Sequence, residues 1–526
     1  MIRVAPSRRR PADRVQTPSD KTPVAQSRSF AAPVAGLVTN AALGAGQGAT
    51  VLDNFWPTRR GVEPRGGYRT FCKVPGAVRS MFTHRTSGAM FAATDAAIYP
   101  FGPSSTGDLS PSVTGLTSGR WRTYETTTSG GSFLVAVNGV DKMRVYNGST
   151  WQAVDETSTP LAITGVDTRV LAHVWGHGNR LFYVQRGTMT AWYLGTNSVA
   201  GTATPLPLGS VFRRGGSLVF GGTFSSDAGD GMDDRCVFVT DAGEVAIYAG
   251  TNPGDVSNWS LQGVYDIAPT LGAGSAVQIG GDLVFGTVRG LFPLSGIVQR
   301  DPAEMRALSY ASAIEPDWVE AAAGAPEWTV AKWDEEGMLV ASPLGGPQLF
   351  VCNLDTRAWA TVTGWSVSAI AAMGGNLYFG TPMGEIARGW TGGDDDGDLF
   401  VCRLGMGFDH LGDPAAPKAV PMMRSVWVSR RPVTQRLSVA TDYRTGFPPA
   451  PETSSAEDAS STPWSSPWGA PWGGELRMAT WAAWQHVAGT GFAFGPQVQV
   501  TSASAAKVSA TLERIDLTFR AGTPAG

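Results

Sequence analysis

The chain contains 526 residues, of which 16% are charged, 66 are glycine and 18 are tryptophan. Few charges together with many glycines and aromatic residues favour a turn-rich β protein of roughly two to four domains. Lys and Arg number 41 against 44 Asp and Glu, and the net charge of -3 excludes the overall basic excess of a protein that mainly grips nucleic acid. Hydrophobic residues make up 42% of the chain, too many for disorder, yet no apolar run reaches the roughly 18 residues of a membrane span. We therefore expect a soluble protein with no membrane span.

Basic residues concentrate at the N-terminus. The first 30 residues hold seven Lys or Arg and two Asp, a local charge of +5, and Arg8, Arg9 and Arg10 are adjacent. No apolar core of a secretory signal follows, so we expect a chain made without an export signal. We predict an exposed basic arm over residues 1–30 that contacts an acidic protein surface or a phosphate backbone, and a disordered tail is the alternative.

From about residue 76, short apolar or alternating runs are separated by Gly, Asp, Asn and Ser, which is typical of antiparallel strands and hairpins. A Gly-Gly or Gly-Asn pair followed by an apolar strand recurs at 178–183, 215–220, 280–285 and 374–379. Such a pair can supply the positive φ angles of a hairpin turn. The last two copies also follow a candidate strand and are therefore predicted hairpins.

Strand pairs continue through the middle of the chain, at 90–99, 133–146, 236–248 and 338–352, the last followed by an aromatic-bearing strand at 358–360. Strand, turn, second strand and third strand in succession are typical of a propeller blade. Because the Gly-rich turns are unevenly spaced, a series of β-sandwiches is the competing architecture. We predict an all-β protein with an irregular β-propeller-like domain of six or seven blades over residues 76–400, preceded by a leading segment over 31–75.

The character of the sequence changes after residue 400. Strands are predicted at 425–428 and 437–440, a Pro/Trp-rich loop with many serines occupies 448–474, and residues 514–520 alternate between apolar and polar. These features predict a C-terminal β-sandwich-like domain over 401–526. One helix is predicted at 301–308, where Asp301 can cap, Pro302 suits the first turn and Glu304 lies three residues after the cap.

Residues with catalytic spacing are not evident in the sequence. The four cysteines lie far apart and are expected to be reduced and buried. His173 and His177 are close in sequence, but the residues between them indicate a strand end, where the two rings lie too far apart for one metal. Neither a phosphate-binding loop nor a serine-hydrolase motif occurs. We expect no enzyme activity and no cofactor, although glycosidase carboxylates have no fixed spacing and leave that class open.

The candidate metal cluster is Asp394, Asp396 and Asp398. Asp394, Asp396 and Gly397 match the third, fifth and sixth positions of a calcium loop, but the first position lacks a carboxylate and Arg403 stands where the bidentate Glu belongs. The pattern therefore favours a solvated turn.

Three Pro-Trp steps recur at four-residue intervals and place Trp464, Trp468 and Trp472 in the loop. Proline disfavours helix, so the three rings are predicted to mark an extended strip that lies on another surface. Packing within the chain, a subunit interface and a stacking platform for sugar rings are the three alternatives.

The leading segment resembles a family of phage proteins. Residues 32–37 (APVAGL), residues 51–58 (VLDNFWPT) and the run Arg65-Gly66-Gly67-Tyr68-Arg69 look like the start of virion proteins from short, non-contractile bacteriophage tails. The order that follows, a propeller-like middle interrupted by one helix and a closing strand at 494–500, is similar to tail nozzle or tail hub proteins, also called packaged-DNA stabilisation proteins. None of these motifs is catalytic, so the resemblance assigns no active-site residue.

The resemblance implies a structural part of a virion tail, assembled in the host cytoplasm. It implies a hexameric ring that extends the channel of the portal and head-tail adaptor, retains or conducts genomic DNA through its lumen, and carries tail fibre or needle proteins. The basic arm has no counterpart in the family pattern. Two other hypotheses stay open: a carbohydrate-binding or glycan-cleaving propeller used in host adsorption, and a cellular scaffold propeller.

Overall fold

The computed structural model describes residues 25–43, 48–225, 234–299, 305–455 and 478–522. Within these ranges nearly all regular structure is β-strand, and the α-helices are α1 (Leu294–Gln299), α2 (Met305–Leu308) and α3 (Glu315–Gly324). None of the helices described is long and apolar enough to cross a membrane.

The strands before and within the first half of the propeller are β1 (Gln26–Ala31), β2 (Ala49–Asp53), β3 (Phe55–Pro57), β4 (Val62–Pro64), β5 (Tyr68–Lys73), β6 (Ser80–His84), β7 (Ala89–Ala93), β8 (Ala97–Phe101), β9 (Gly107–Asp108), β10 (Val113–Thr114), β11 (Arg122–Thr128), β12 (Gly131–Val137), β13 (Met143–Tyr146), β14 (Trp151–Val154), β15 (Ile163–Thr164), β16 (Leu171–His177), β17 (Arg180–Gln185), β18 (Thr190–Thr196), β19 (Gly201–Thr202) and β20 (Thr204–Pro207). The strands that follow are β21 (Leu218–Phe224), β22 (Arg235–Thr240), β23 (Glu244–Gly250), β24 (Trp259–Asp266), β25 (Ala276–Ile279), β26 (Asp282–Thr287), β27 (Gly290–Pro293), β28 (Trp328–Trp333), β29 (Met338–Pro343), β30 (Gln348–Asn353), β31 (Ala358–Thr363), β32 (Ala369–Met373), β33 (Asn376–Gly380) and β34 (Glu385–Gly389). The remaining strands are β35 (Phe400–Met406), β36 (Lys418–Ser429), β37 (Gln435–Thr441), β38 (Ala479–Ala482), β39 (Gln485–Gly491), β40 (Phe494–Ser502) and β41 (Ala510–Ala521).

Consecutive antiparallel sheets form a β-propeller. Six of them contain a four-stranded blade: β6-β7-β8-β10, β11 to β14, β16-β17-β18-β20, β21 to β24, β28 to β31, and β32-β33-β34-β5. A three-stranded sheet, β25 to β27, lies between the fourth and fifth of these blades in chain order. Neighbouring sheets contact one another through their inner strands, for example β11 with β16, β16 with β21, β25 with β28 and β28 with β32, and β32 contacts β6 to close the ring. The predicted irregular propeller is thereby confirmed.

The ring is closed because a strand from the beginning of the chain pairs with a strand of the last blade. Strand β5 precedes the first blade, yet it pairs antiparallel with β34 in the last one, with Lys73 opposite Glu385. Because the last blade takes its outer strand from the leading segment, opening the ring would break a full ladder of backbone hydrogen bonds.

The hairpin turns follow the glycine pattern of the sequence. Gly374 and Gly375 have φ angles of 53° and 77° between β32 and β33, and Gly178 and Asn179 have φ angles of 54° and 58° between β16 and β17. Two successive positive φ angles match the twist of a tight hairpin. The pair Gly280-Gly281 also joins paired strands, β25 and β26, so both predicted hairpins are confirmed.

The strands after residue 400 form two sheets. In the first, β2 pairs in parallel with β31 of a blade, and β35, β40 and β37 follow, so the blade and the C-terminal strands share an eight-stranded sheet. In the second, β41 pairs with β36 on one side and with β1 and β4 on the other. Buried residues of both sheets, such as Leu404, Val498 and Leu512, belong to one hydrophobic cluster that continues into the propeller.

The helical region differs from the prediction of one helix at 301–308. Helix α2 occupies Met305–Leu308, while residues 300–304 lie outside the described ranges. Helix α3 was not predicted from the sequence; it has Pro316 in its first turn and buries Trp318 and Ala322. The Trp318 ring lies 4.4 Å from that of Trp328 at the start of β28. Helix α3 thus fills the core beside the three-stranded sheet, where that sheet lacks a fourth strand.

Candidate functional site

The family-like run Arg65–Arg69 lies where the leading segment enters the propeller. It runs beside residues 391–396, because Gly67 N–H donates to Gly392 O at 3.0 Å and Asp396 N–H donates to Tyr68 O at 2.9 Å. We call these two segments, 65–69 and 390–398, the joint. The joint connects the closing blade to the C-terminal sheets, since Gly393 also pairs with Ser504.

Arg65 is the buried centre of the joint. Its side chain is 0% exposed, and its two terminal nitrogens donate to the two carboxylate oxygens of Asp395 at 2.8 and 2.7 Å. The remaining N–H groups reach Asn54 Oδ1, Gly66 O and Thr363 O at 2.8, 2.9 and 3.0 Å. All five donors of the guanidinium therefore have acceptors, which is what makes a buried charge tolerable.

Aromatic rings enclose this ion pair. The guanidinium carbon of Arg65 lies 3.9 Å from the centre of the Phe400 ring and 5.3 Å from that of Trp365. The indole N–H of Trp365 donates to Asp395 Oδ1 at 3.2 Å. The rings exclude water, so the pair is held in a low-dielectric site where it is sensitive to loss of either partner.

A second ion pair covers the first. Both terminal nitrogens of Arg69 bind the Asp394 carboxylate, and Gly397 N–H donates to Asp394 Oδ1 at 2.8 Å. The hydrogen bond from Arg69 lowers the pKa of Asp394 from its ordinary value. Gly67 permits this approach, since a Cβ there would lie 1.7 Å from Asp394 O.

The three aspartates of the candidate metal cluster therefore have different roles. Asp394 is bound by Arg69, Asp396 accepts the backbone N–H of Thr70 at 3.2 Å, and Asp398 closes a turn onto Asp395. Among the residues that the structure describes, no group of three or more His, Cys, Asp or Glu is placed to hold a metal ion. Sequence reasoning overlooked Asp395, whose partner Arg65 stands four residues before Arg69 in the run already singled out.

The first strands of the blades surround the propeller channel, and three arginines lie at the end where those strands begin. A cavity of about 50 Å³ there is lined by Arg79, Arg120 and Arg122, together with Trp121 and Thr329 among others. Arg79 Nε donates to Asp95 Oδ2 at 3.0 Å, and Arg120 pairs with Glu327 at 2.5 Å. We call this end the arginine mouth.

Arg122 extends across the channel at the arginine mouth. It begins β11 in the second blade, yet one of its terminal nitrogens lies 2.8 Å from where a Cβ would stand on Gly274, just before β25. It donates no hydrogen bond to any described residue. Burial lowers the pKa of Arg122, an effect opposed by the carboxylate of Glu327 and assisted by the charge of Arg120.

The two histidines that are close in sequence serve as bridges between blades. His173 Nε2 lies 3.0 Å from Gly221 O, while His177 Nδ1 lies 3.1 Å from Thr223 Oγ1 and its Nε2 lies 2.7 Å from Gly250 O. Burial, and then the charge of Arg122, lower the pKa of His173 to about 3. His173 is therefore neutral at physiological pH.

The predicted interface residues Arg8, Arg9, Arg10, Trp464, Trp468 and Trp472 lie outside the described residues. Directly after the Pro-Trp strip, Trp481 and Trp484 are 38% and 40% exposed at the edge of the second C-terminal sheet. The guanidinium of Arg424 lies 4.8 Å from the centre of the Trp484 ring. These two indoles are the exposed aromatic surface nearest in sequence to the predicted strip.

The four cysteines are free and buried, as expected. Burial raises the pKa of each thiol, in the case of Cys72 to about 12. A thiol with a raised pKa is a poor nucleophile, so none of the four is a candidate for covalent chemistry.

No family model matches the sequence, and no curated protein is similar enough to it to count as a relative. Several solved structures have a similar arrangement, among them β-propeller domains. The WD40 β-propeller domain of Doa1 has 8% sequence identity, covers 61% of this chain and 96% of its own, and gives a TM-score of 0.36. Sqt1 of Saccharomyces cerevisiae has 10% identity, covers 60% of this chain and 83% of its own, and gives 0.36. The β-propeller domain of Cps50 (Swd1) from Myceliophteria thermophila has 12% identity, covers 60% and 96%, and gives 0.40.

Proposed function

We propose that this protein is a structural component of a short phage tail, a nozzle or hub that assembles as a ring of six copies. The observation that carries the proposal is the joint. The run Arg65–Arg69 is one of the segments on which the resemblance to tail proteins rests, and it forms the buried connection between the propeller and the C-terminal sheets. A connection of this kind suits a chain that transmits load between neighbours.

The polar chemistry of the described residues supports a structural role. Buried or half-buried carboxylates bind backbone groups of neighbouring segments: Glu125 accepts N–H groups of Arg85 and Thr86, and Glu244 accepts those of Arg213 and Arg214. These groups tie one blade to the next or fasten a loop. A carboxylate whose oxygens already accept several hydrogen bonds is poorly suited to general acid or base catalysis.

The path of DNA in this proposal lies between copies, not through one propeller. Arg120 and Arg122 reach across the propeller channel to Glu327 and Gly274, so side chains of the chain itself narrow that channel at the arginine mouth. The ring lumen would continue the channel of the portal and adaptor. A chain with a net charge of -3 lets DNA slide without strong attraction to phosphate.

We propose that the basic arm lies on the side of the ring that faces the head-tail adaptor. Strand β1 is the edge neighbour of β41 and is exposed over most of its length, with Arg28 bound to Asp409 at 2.8 Å. Strand β1 is therefore an edge strand of the second C-terminal sheet. In the proposed ring, Arg8, Arg9 and Arg10 bind an acidic surface of the adaptor, with genomic DNA as the lesser target.

The test is genetic. In a phage that encodes this chain, interrupting the gene should yield heads that package DNA and then lose it, without tails. Supplying the intact protein should restore tailed particles. Filled, tailed and infectious particles without the protein would contradict the proposal.

A second candidate, a carbohydrate-binding propeller used in host adsorption, is favoured by one observation. The exposed indoles of Trp481 and Trp484 resemble the platforms on which sugar rings stack. Saturable glycan binding that is lost in Trp481→Ala and Trp484→Ala would support this candidate.

A further inference from the structure

We propose that the arginine mouth binds the carboxylate of an acidic protein segment, with Arg122 as the central donor. This inference goes beyond the proposed function and does not depend on it, because it concerns the site and its ligand chemistry in a single chain. The site lies in the propeller and shares no lining residue with the joint.

The charges of the site are unbalanced. Three guanidinium groups, those of Arg79, Arg120 and Arg122, line the cavity. Asp95 and Glu327 pair with the first two of them. Arg122 remains as one excess positive charge, and a single carboxylate neutralises it, whereas a phosphate dianion would leave a negative excess.

The guanidinium of Arg122 has unused N–H donors in a partly desolvated site. It donates no hydrogen bond to any described residue, and the channel wall holds it beside Gly274. An unpaired guanidinium that is partly desolvated gains more from a carboxylate than an exposed one, because the bidentate pair forms where the dielectric is low. The indole N–H of Trp121, in the cavity wall, also has no partner among the described residues.

The size of the cavity favours a side chain over a whole metabolite. About 50 Å³ is space for one small group, such as a carboxylate. The rest of a bound molecule would lie outside, over the loops that connect the blades. An acidic side chain or chain terminus of a protein can place its carboxylate in the cavity while its backbone contacts those loops.

The control for this site lies at the opposite end of the channel. Arg85 is exposed and lines a separate cavity there with Lys332, Asp334 and Glu335. Its backbone N–H, which binds Glu125, is unaffected by a side-chain change. Arg85→Leu therefore removes the same charge from the same channel without touching the arginine mouth.

The experiment uses trifluoroacetate as a carboxylate probe, followed by the broadening of its fluorine NMR signal with the full chain. We expect saturable broadening with a dissociation constant on the order of millimolar, weakened at least about tenfold by Arg122→Leu and unchanged by Arg85→Leu. Arg122→Lys should give an intermediate affinity, because it keeps the positive charge but loses the planar pair of N–H donors that binds both carboxylate oxygens. Thermal unfolding of each variant checks that the fold is kept.

Competition identifies the source of the carboxylate. The capped tripeptide acetyl-Gly-Glu-Gly-amide should displace the probe at lower concentration than acetate, while the matched Gln tripeptide should not displace it. Absence of saturable broadening in the wild type, or equal broadening in Arg122→Leu, would overturn the site. Displacement by inorganic phosphate at lower concentration than by acetate would overturn the carboxylate class, and acetate matching the Glu tripeptide would overturn the protein segment.

Discussion

Arg65 and Asp395 form a bidentate ion pair in the interior of the molecule, although they lie 330 residues apart in the sequence. Arg65 is fully buried and the Asp395 side chain is 8% exposed. The pair joins the leading segment to the loop between the last blade and the C-terminal sheets. The joint thus depends on a contact between the beginning and the end of the propeller.

The first prediction concerns this pair. Arg65→Leu leaves a buried carboxylate without its cation, which should lower the free energy of unfolding by about 3 to 5 kcal/mol. Arg65→Lys should lower the free energy of unfolding by a smaller amount, because an ammonium keeps the charge but cannot donate to both carboxylate oxygens in the way that the guanidinium does. Denaturant unfolding measures both. The control is Arg59→Lys. Arg59 pairs with Asp355, and because the two side chains are 75% and 64% exposed, this pair should contribute little to stability. Equal losses of unfolding free energy at Arg65 and Arg59 would contradict the importance of the buried pair.

The second prediction concerns the close approach of backbones at Gly67. A Cβ there would lie 1.7 Å from Asp394 O, so Gly67→Ala must push the two segments apart. We expect destabilisation near the upper end of the about 1 to 3 kcal/mol typical of overpacking, seen as a lower thermal midpoint. Gly102→Ala is the matched control, since nothing lies within 4 Å of the corresponding position. A shift no larger than that of the control would show that the joint yields easily.

The third prediction concerns pH. The pKa of His173 is lowered to about 3 by burial and by Arg122, against an ordinary value of 6.5. Below about pH 6.5 the unfolded chain binds a proton that the folded chain excludes, so stability falls as the pH drops from about 6.5 towards 3. Between about pH 7.5 and pH 5, protonation of His173 in the unfolded chain should lower the free energy of unfolding by about 1 to 2 kcal/mol.

The variant His173→Gln should remove that part of the pH dependence, measured as the difference in unfolding free energy at the two pH values. His486→Gln, at an exposed position, is the control for loss of an imidazole. The same pH dependence in the two variants would contradict the lowered pKa of His173 beside Arg122.

The fourth prediction concerns the basic arm. Because β1 begins at Gln26, deletion of residues 1–24 should leave the described fold and its thermal midpoint intact. In the phage, the same deletion should lower the yield of DNA-filled, tailed particles, and salt should weaken the interaction that the arm makes. Normal yields of infectious virions from the deletion would exclude the arm as an assembly element.

The local features of this fold were predictable. Tight turns such as Gly374-Gly375 carry their conformation in the residue type, so hairpins could be inferred from a few neighbouring residues. The alternation of Ile515, Leu517 and Phe519 likewise placed a half-buried strand where β41 occurs.

Long-range features were not predictable in the same way. The closing pair of β5 with β34, the parallel insertion of β2 beside β31, and the partnership of Arg65 with Asp395 each depend on how distant segments meet. Arg122 was not singled out in the sequence, and its reach to Gly274 follows only from closing the ring.

The most direct test of the central claim is the oligomeric state of the purified chain, determined by electron microscopy together with mass measurement in solution. The account predicts six-fold rings with a wide lumen and a mass six times the 55.3 kDa of one chain. A particle that is strictly monomeric in solution, and remains a single copy in maps of the virion, would contradict it.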